Sequence, residues 1–270
     1  MSIGKLETHE ARIQDQVISF IEVKPTVNKE KSLSLLILHG WNQKGTESWE
    51  EVIKEIACRH PSYRIIALDL PGMGQSQPPK SVWNAMNYAD FIAEFLTSLN
   101  VSEITILGHS FGGAIGAVIA GDRPDMCTKL VLLAPAIIRP PLSKKQKIIQ
   151  SVTNTGKNVL TKVGLQGVTD ATKKLWYRVV GSSDYVKTQG IMKEIMAGVV
   201  REDLTHVLTK IKCETTVVWG DKDLYTPIWQ LDIIRRNLDK SNIYMLEGIN
   251  HGIHLHARKS LYSILDGVLN

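Results

Sequence analysis

Six short apolar runs punctuate the chain at strand length: Leu33–Leu38, Arg64–Leu68, Glu103–Leu107, Lys129–Leu133, Thr215–Trp219 and Asn242–Leu246. Continuous runs of this kind predict strands buried on both faces. Between them, apolar positions recur at helical spacing. Ser48–Arg59 carries Trp49, Val52, Ile53 and Ile56 on one side, and Tyr88–Leu99 carries Phe91, Ile92, Phe95, Leu96 and Leu99. Phe111–Ala120 is small and apolar, and Ile228–Leu238 and Ala257–Leu269 complete the helical set. An earlier stretch, Gln16–Lys24, alternates imperfectly and stops at Pro25, which predicts a hairpin strand at the sheet edge. Strands alternating with helices predict an α/β domain around a mostly parallel sheet.

The alternation lapses once. After Ala134-Pro135 no strand pattern returns until Thr215. The intervening chain contains Pro140-Pro141 and helical faces marked by Leu175, Trp176, Val179 and Val180, then by Ile191, Met192, Ile195, Met196 and Val199. The sheet pattern resumes afterwards, so the stretch reads as a helical insertion: a core domain of residues 1–135 and 206–270, and a cap of residues 136–205. Trp176, Ile191, Met192, Ile195 and Met196 either line an acyl site or pack the cap on the sheet.

Composition narrows the class. The 270 residues are 43% hydrophobic and 22% charged, which suits a globular fold and excludes disorder for the bulk of the chain. Three scattered cysteines, Cys58, Cys127 and Cys213, predict neither a disulfide framework nor a Cys-based zinc site. The N-terminus lacks the apolar core of a signal peptide, which makes a cytoplasmic location the expectation. Ile104–Gly121 runs 18 residues without Asp, Glu, Lys or Arg, yet includes His109, Ser110 and five glycines. A strand, a sharp turn and a buried helix explain it better than a membrane span. Charge is uneven: residues 136–205 hold 12 Lys and Arg against 5 Asp and Glu, within a net +5 for the whole chain. The lysines, Lys144, Lys145, Lys173 and Lys174 among them, are interleaved with apolar residues, which predicts a solvated helical surface and no nucleic-acid partner.

The chemistry concentrates in a few loops. Gly108-His109-Ser110-Phe111-Gly112 follows an apolar strand and opens a helix. That context makes Ser110 a candidate nucleophile on a tight strand-to-helix turn, with its hydroxyl lifted to a helix N-terminus. A serine needs a base oriented by a carboxylate. His251 lies on the loop after Asn242–Leu246 and is the favoured base, with His254 the alternative; otherwise His254 and His256 fall at the start of the last helix, as surface or capping residues. Asp221 and Asp223 both follow Thr215–Trp219, at the strand end where open α/β sheets bind ligands. One of them is expected to orient the histidine and the other to shape the turn. An oxyanion needs two backbone donors. The N–H of Phe111, just after the serine, supplies the first, and the N–H of Trp41, in His39-Gly40-Trp41 at the exit of Leu33–Leu38, the second. Asp69-Leu70-Pro71-Gly72-Met73-Gly74-Gln75-Ser76 follows another strand and reads as a structured turn beside the site, without the third glycine of a dinucleotide fingerprint.

Taken together these motifs resemble the α/β-hydrolase superfamily over nearly the whole chain, in its serine-nucleophile branch with a helical lid. Leu38-His39-Gly40-Trp41 is similar to the family's oxyanion motif, the Asp69–Ser76 segment to its D-x-P-G-x-G-x-S turn, and Gly108–Gly113 to its GHSxGG elbow. Leu130–Pro135 resembles the strand before the lid. Trp219-Gly220-Asp221-Lys222-Asp223 with Pro227 resembles G-x-x-D-x-x-x-P, which points to Asp223. Asn250-His251 resembles the catalytic G-H loop, with Asn250 in place of the glycine and His256 in place of an acidic residue. The order Ser110, Asp223, His251 is that of the family's triad.

The resemblance implies a core of mostly parallel sheet flanked by helices, with a helical cap inserted after the sixth strand. It implies a serine hydrolase of small or medium-sized carboxylic esters, acting through an acyl-enzyme without cofactor or metal, on a small-molecule partner. Dehalogenase and epoxide hydrolase branches carry an aspartate where this chain has Ser110. Carbon–carbon hydrolases of ring-cleavage products often carry asparagine where it has His109, so an esterase is favoured over that alternative. A ligand receptor of the same fold is the rival from another class.

Overall fold

The computed structural model describes residues 6–27, 33–139 and 189–270. Eight strands form one sheet: β1 (Thr8–Ile13), β2 (Gln16–Val23), β3 (Leu33–Leu38), β4 (Tyr63–Leu68), β5 (Ile104–His109), β6 (Cys127–Leu133), β7 (Glu214–Gly220) and β8 (Ser241–Leu246). Their order is β1-β2-β4-β3-β5-β6-β7-β8. β1 and β2 pair antiparallel, as do β2 and β4, and every later pair is parallel. The architecture is the mostly parallel α/β sheet expected from the alternation of runs, and it is the fold that the α/β-hydrolase resemblance implies.

The central strands are apolar because both faces are covered. Leu35, Leu36, Ile37 and Leu38 of β3, and Leu130 to Leu133 of β6, are buried on either side of the sheet. The described helices include α1 (Glu50–Arg59), preceded by a 3-10 turn over Gly45–Trp49, α2 (Ala85–Ser98) and α3 (Phe111–Asp122). After the break come α4 (Ile191–Val199), the single turn α5 (Thr205–Leu208), α6 (Trp229–Asn237), the single turn α7 (Ile253–His256) and α8 (Arg258–Leu269). α3 is buried along Phe111–Gly121, and its small side chains let it sit close to the sheet. Asn84 caps α2 with a reciprocal pair of bonds to Asn87, so the helix begins three residues before its apolar pattern does.

Two strand expectations need correction. β2 forms the expected hairpin, but β1 takes the edge, since β2 also bonds β4. β1 escapes periodicity because it exposes most of its residues, with only Ile13 buried. β8 is not buried on both faces. It is the other edge, and it exposes Tyr244 and Met245. An edge strand has one partner and needs no covering on its far side.

Most of the expected cap over 136–205 lies outside the described residues, including Trp176 and the Lys144-Lys145 and Lys173-Lys174 pairs. Its described end carries α4, whose Met192, Ile195 and Val199 are buried in the core cluster. Met192 Sδ lies against the position that a Gly72 Cβ would take, so this residue packs on the turn after β4. No helix among the described residues is long and apolar enough to cross a membrane.

A third correction concerns His254. It is neither a surface nor a capping residue: it is buried, with its ring stacked on Trp49 at 4.5 Å and 1°. Burial first, and then the neighbouring His251, lower its pKa from 6.5 to about 3. A buried neutral histidine stabilises the fold only while the unfolded chain is also neutral. The contribution is therefore complete above pH 6.5 and is lost as pH falls from there toward about 3. The slope approaches about 1.4 kcal/mol per pH unit for one such group. Denaturant titrations between pH 7 and 4 are expected to show a shallower acid loss in His254→Phe, which keeps a flat ring on Trp49 and removes the titrating group.

Candidate active site

The site is assembled at the C-terminal ends of the parallel strands. β5 ends at His109 and α3 starts at Phe111, leaving Ser110 alone to turn the chain. Its backbone takes φ 52° and ψ −114°, a strained conformation for a residue with a side chain. Three bonds hold it there. Ser110 N–H donates to Leu133 O at 2.9 Å, and Ser110 O accepts from Ala114 N–H at 3.0 Å and Ala136 N–H at 2.9 Å. The turn closes only with glycine on both sides. A Cβ on Gly108 would lie 2.6 Å from Gly112 O, and one on Gly112 would meet Leu38 O and His39 O.

Asp223 and His251 come together from different loops. Asp223 follows β7, and its side chain has no solvent exposure. Its Oδ1 accepts Tyr225 N–H at 2.8 Å and Thr226 N–H at 2.9 Å, while Oδ2 accepts the Thr226 hydroxyl at 2.8 Å and faces His251 Nδ1 at 2.7 Å. An ionised carboxylate only accepts. His251 Nδ1 therefore carries the proton, which leaves Nε2 with its lone pair. Asp221 has the turn role instead: its Oδ1 accepts Gly248 N–H at 2.7 Å and ties the exit of β8 to that of β7.

Ser110 is linked to this pair through its neighbour. His109 Nε2 donates to His251 O at 2.8 Å, and the two rings lie 4.8 Å apart. A carbonyl partner requires the proton on Nε2, so His109 is the Nε2–H tautomer. Burial, followed by the charges of His251 and His254, holds its pKa well below the ordinary histidine value. It stays neutral. Ser110 Oγ makes no hydrogen bond among the described residues, and resting geometries of this kind tighten in the reacting complex.

The loop after β3 lies against the serine. A Cβ on Gly40 would stand 3.0 Å from His109 Nδ1 and 3.2 Å from Ser110 Cβ, so a side chain there would crowd the serine. Trp41 and Phe111 follow the two turns, with rings 5.6 Å apart. Among the described residues, neither backbone N–H donates a hydrogen bond. His39 braces this loop from below. Leu70 N–H donates to His39 Nε2 at 3.0 Å, which puts the ring proton on Nδ1, bonded to Gly40 O at 2.7 Å. Burial lowers the His39 pKa, against the raising effects of the Gly40 carbonyl and Asp69. Asp69 fastens the same region: Oδ1 accepts Thr46 N–H at 2.7 Å and Oδ2 accepts Gln75 N–H at 2.9 Å. The Asp69–Ser76 segment is thus a scaffold that ties the loop after β3 to the loop after β4.

Periodicity and motif spacing pass over two residues that matter here. Thr226 orients Asp223 through both its hydroxyl and its amide. The Asp-x-x-Thr-Pro spacing is its only trace, an aspartate bonding the backbone of the turn it starts. His109 is visible in the sequence as part of the elbow but not as the donor that reaches the histidine loop.

What this arrangement offers is a hydroxyl on a strained turn, an imidazole oriented by a carboxylate and bonded through its backbone carbonyl to the residue before that serine, and two amides without acceptors among the described residues. Among the described residues, no group of three or more His, Cys, Asp or Glu could hold a metal ion. Comparison with known proteins agrees with the architecture. A poly(3-hydroxyalkanoate) depolymerase of Ectopseudomonas oleovorans is 24% identical over 205 residues, 73% of this chain and 72% of that protein. A non-heme chloroperoxidase of Kitasatospora aureofaciens is 26% identical over 241 residues, 81% of this chain and 85% of that one. The crystal structure of a hydrolase from Pseudomonas aeruginosa superimposes with a TM-score of 0.71 at 17% identity, covering 97% of this chain and 98% of that one. A family model described as the alpha/beta hydrolase fold matches residues 34–255. With that match over most of its length, the chain belongs to the alpha/beta hydrolase family.

Proposed function

We propose that this chain is a serine hydrolase of carboxylic esters, and that Ser110, His251 and Asp223 carry the reaction. The observation that bears most on this reading is the 2.7 Å contact of His251 Nδ1 with Asp223 Oδ2, with the His251 carbonyl bonded to His109, the residue before a serine at φ 52°. Ser110 Oγ attacks the ester carbonyl as His251 Nε2 takes its proton. Asp223 holds the tautomer and offsets the charge on the imidazolium. The N–H groups of Trp41 and Phe111 receive the oxyanion. His251 returns the proton to the departing alcohol, and a water activated by the same nitrogen then releases the acid. The name of the depolymerase relative supports a hydrolytic reading, and His109 in the position next to the nucleophile favours an ester over a carbon–carbon bond.

A direct comparison tests it. Aryl esters of two to eight acyl carbons are expected to turn over with a burst of alcohol from the acyl-enzyme, while a vinylogous diketone is expected to remain uncleaved. Cleavage of the diketone with inert esters would replace the ester assignment with a carbon–carbon one. Tight binding of ligand without turnover of either would favour a receptor.

His109 yields a second expectation. Its Nε2–H bond to the His251 carbonyl should keep the base in register with the serine. His109→Leu is expected to lower kcat by about 10²-fold with little change in KM, the scale of a small misplacement. His109→Gln retains an N–H of similar reach and should stay within about tenfold of wild type. Equal losses in both variants would assign the residue to packing alone.

A further inference from the structure

Two cysteines separated by 86 positions in the chain meet in the fold. Cys127 opens β6, and Cys213 immediately precedes β7. β6 and β7 are neighbouring parallel strands, with Lys129 opposite Glu214, so the two cysteines lie one position out of register, diagonally across the strand starts, while Ser110 and Asp223 follow the ends of β5 and β7. Their Sγ atoms are 3.7 Å apart. Strands of a sheet run about 4.8 Å apart, within reach of the Cα separations of about 4.4–6.8 Å that disulfides span.

The pair is asymmetric. Cys127 is buried at 2% exposure, and Cys213 is partly open to solvent. Their bond, and then burial, push the Cys127 thiol well above the ordinary value, so it keeps its proton. The bond between the two sulfurs, with Thr215, lowers the Cys213 thiol instead, against its partial burial, which raises it. A more acidic, more accessible sulfur beside a protonated, sheltered one is the arrangement of an attacking and a resolving cysteine. Cys58 is exposed on α1, apart from this pair.

We propose that Cys127 and Cys213 form a peroxide-reactive dithiol site, with Cys213 as the attacking sulfur and Cys127 as the resolving one. The Cys213 thiolate attacks one oxygen of a hydroperoxide. The S–O bond forms as the O–O bond breaks, sulfur is oxidised to the sulfenic acid, and the other oxygen leaves as hydroxide or alkoxide and takes a proton from water. Cys127 sulfur then attacks the sulfenic sulfur. The S–S bond forms, the S–O bond breaks, and the hydroxyl departs with the Cys127 proton as water. A dithiol reductant restores the starting state. The site asks nothing of Ser110 or His251, so it stands independently of the ester reading.

The test uses the full-length reduced protein and hydrogen peroxide, with thiols titrated after unfolding and peptides mapped by mass spectrometry. Wild type is expected to lose two of its three thiols and to yield one linked peptide pair joining Cys127 to Cys213, reversed by dithiothreitol. In Cys127→Ser, dimedone should trap a sulfenic acid on Cys213, and in Cys213→Ser the Cys127 thiol should survive the treatment. Dimedone present during oxidation of wild type supplies the same reading if the serine variants fold poorly, through a Cys213 adduct that competes with the link. Three thiols remaining after peroxide, or oxidation confined to Cys58, would overturn the proposal. A Cys127 adduct in place of a Cys213 adduct would contradict the assigned roles.

Discussion

Ser110→Ala is expected to reduce ester turnover by about 10⁵-fold or more while leaving the fold intact. Serine proteases that lose their nucleophile fall by up to about 10⁶ in kcat, because base and nucleophile act as one unit and the remainder comes from oxyanion contacts and binding. The same scale is expected where the serine is held by three backbone bonds on its turn. Alanine keeps the Cβ and removes only the hydroxyl, so the thermal midpoint should move by no more than a few degrees, measured alongside burst and steady-state kinetics. Turnover within tenfold of wild type would place the chemistry on another residue.

The second large effect separates two aspartates that are neighbours in sequence. Asp223→Asn is expected to cost about 10⁴-fold in kcat, the scale seen when an amide replaces a triad carboxylate and the imidazole adopts the wrong tautomer. The new side-chain amide would also confront the Thr226 hydroxyl and two turn amides that now donate to the carboxylate. Asp221→Asn should stay within about tenfold. Its carboxylate accepts one loop amide, Gly248 N–H, and an asparagine oxygen can accept the same bond. Measured kcat for the two variants checks the ranking, and the reverse order would exchange their roles.

These expectations rest on features of unequal legibility in the chain. The central strands are plain because burial on both faces leaves unbroken apolar runs, and β3 begins and ends where its run does. The elbow is plain because only glycine tolerates the approach of α3 to the end of β3. β1 leaves no signal, since an edge strand that exposes most of its residues needs no apolar pattern. His254 misleads for a related reason. A single helical turn has no readable face, and its burial depends on Trp49, more than 200 positions away. The bonds of Thr226 and His109 depend on where distant loops meet, as does the meeting of Cys127 with Cys213. Local spacing holds no record of such contacts. Choosing between Asp221 and Asp223 requires the family resemblance, and their separate partners in the fold supply its physical reason.

The central claim is that one hydroxyl, Ser110, is the activated nucleophile. The most direct measurement is covalent: incubate the protein with a fluorophosphonate, digest it, and locate the adduct by mass spectrometry. The account predicts one adduct per chain on the peptide containing Ser110, with labelling abolished in Ser110→Ala and slowed strongly in Asp223→Asn. An adduct on any other residue, or labelling of Ser110→Ala at the wild-type rate, would contradict it.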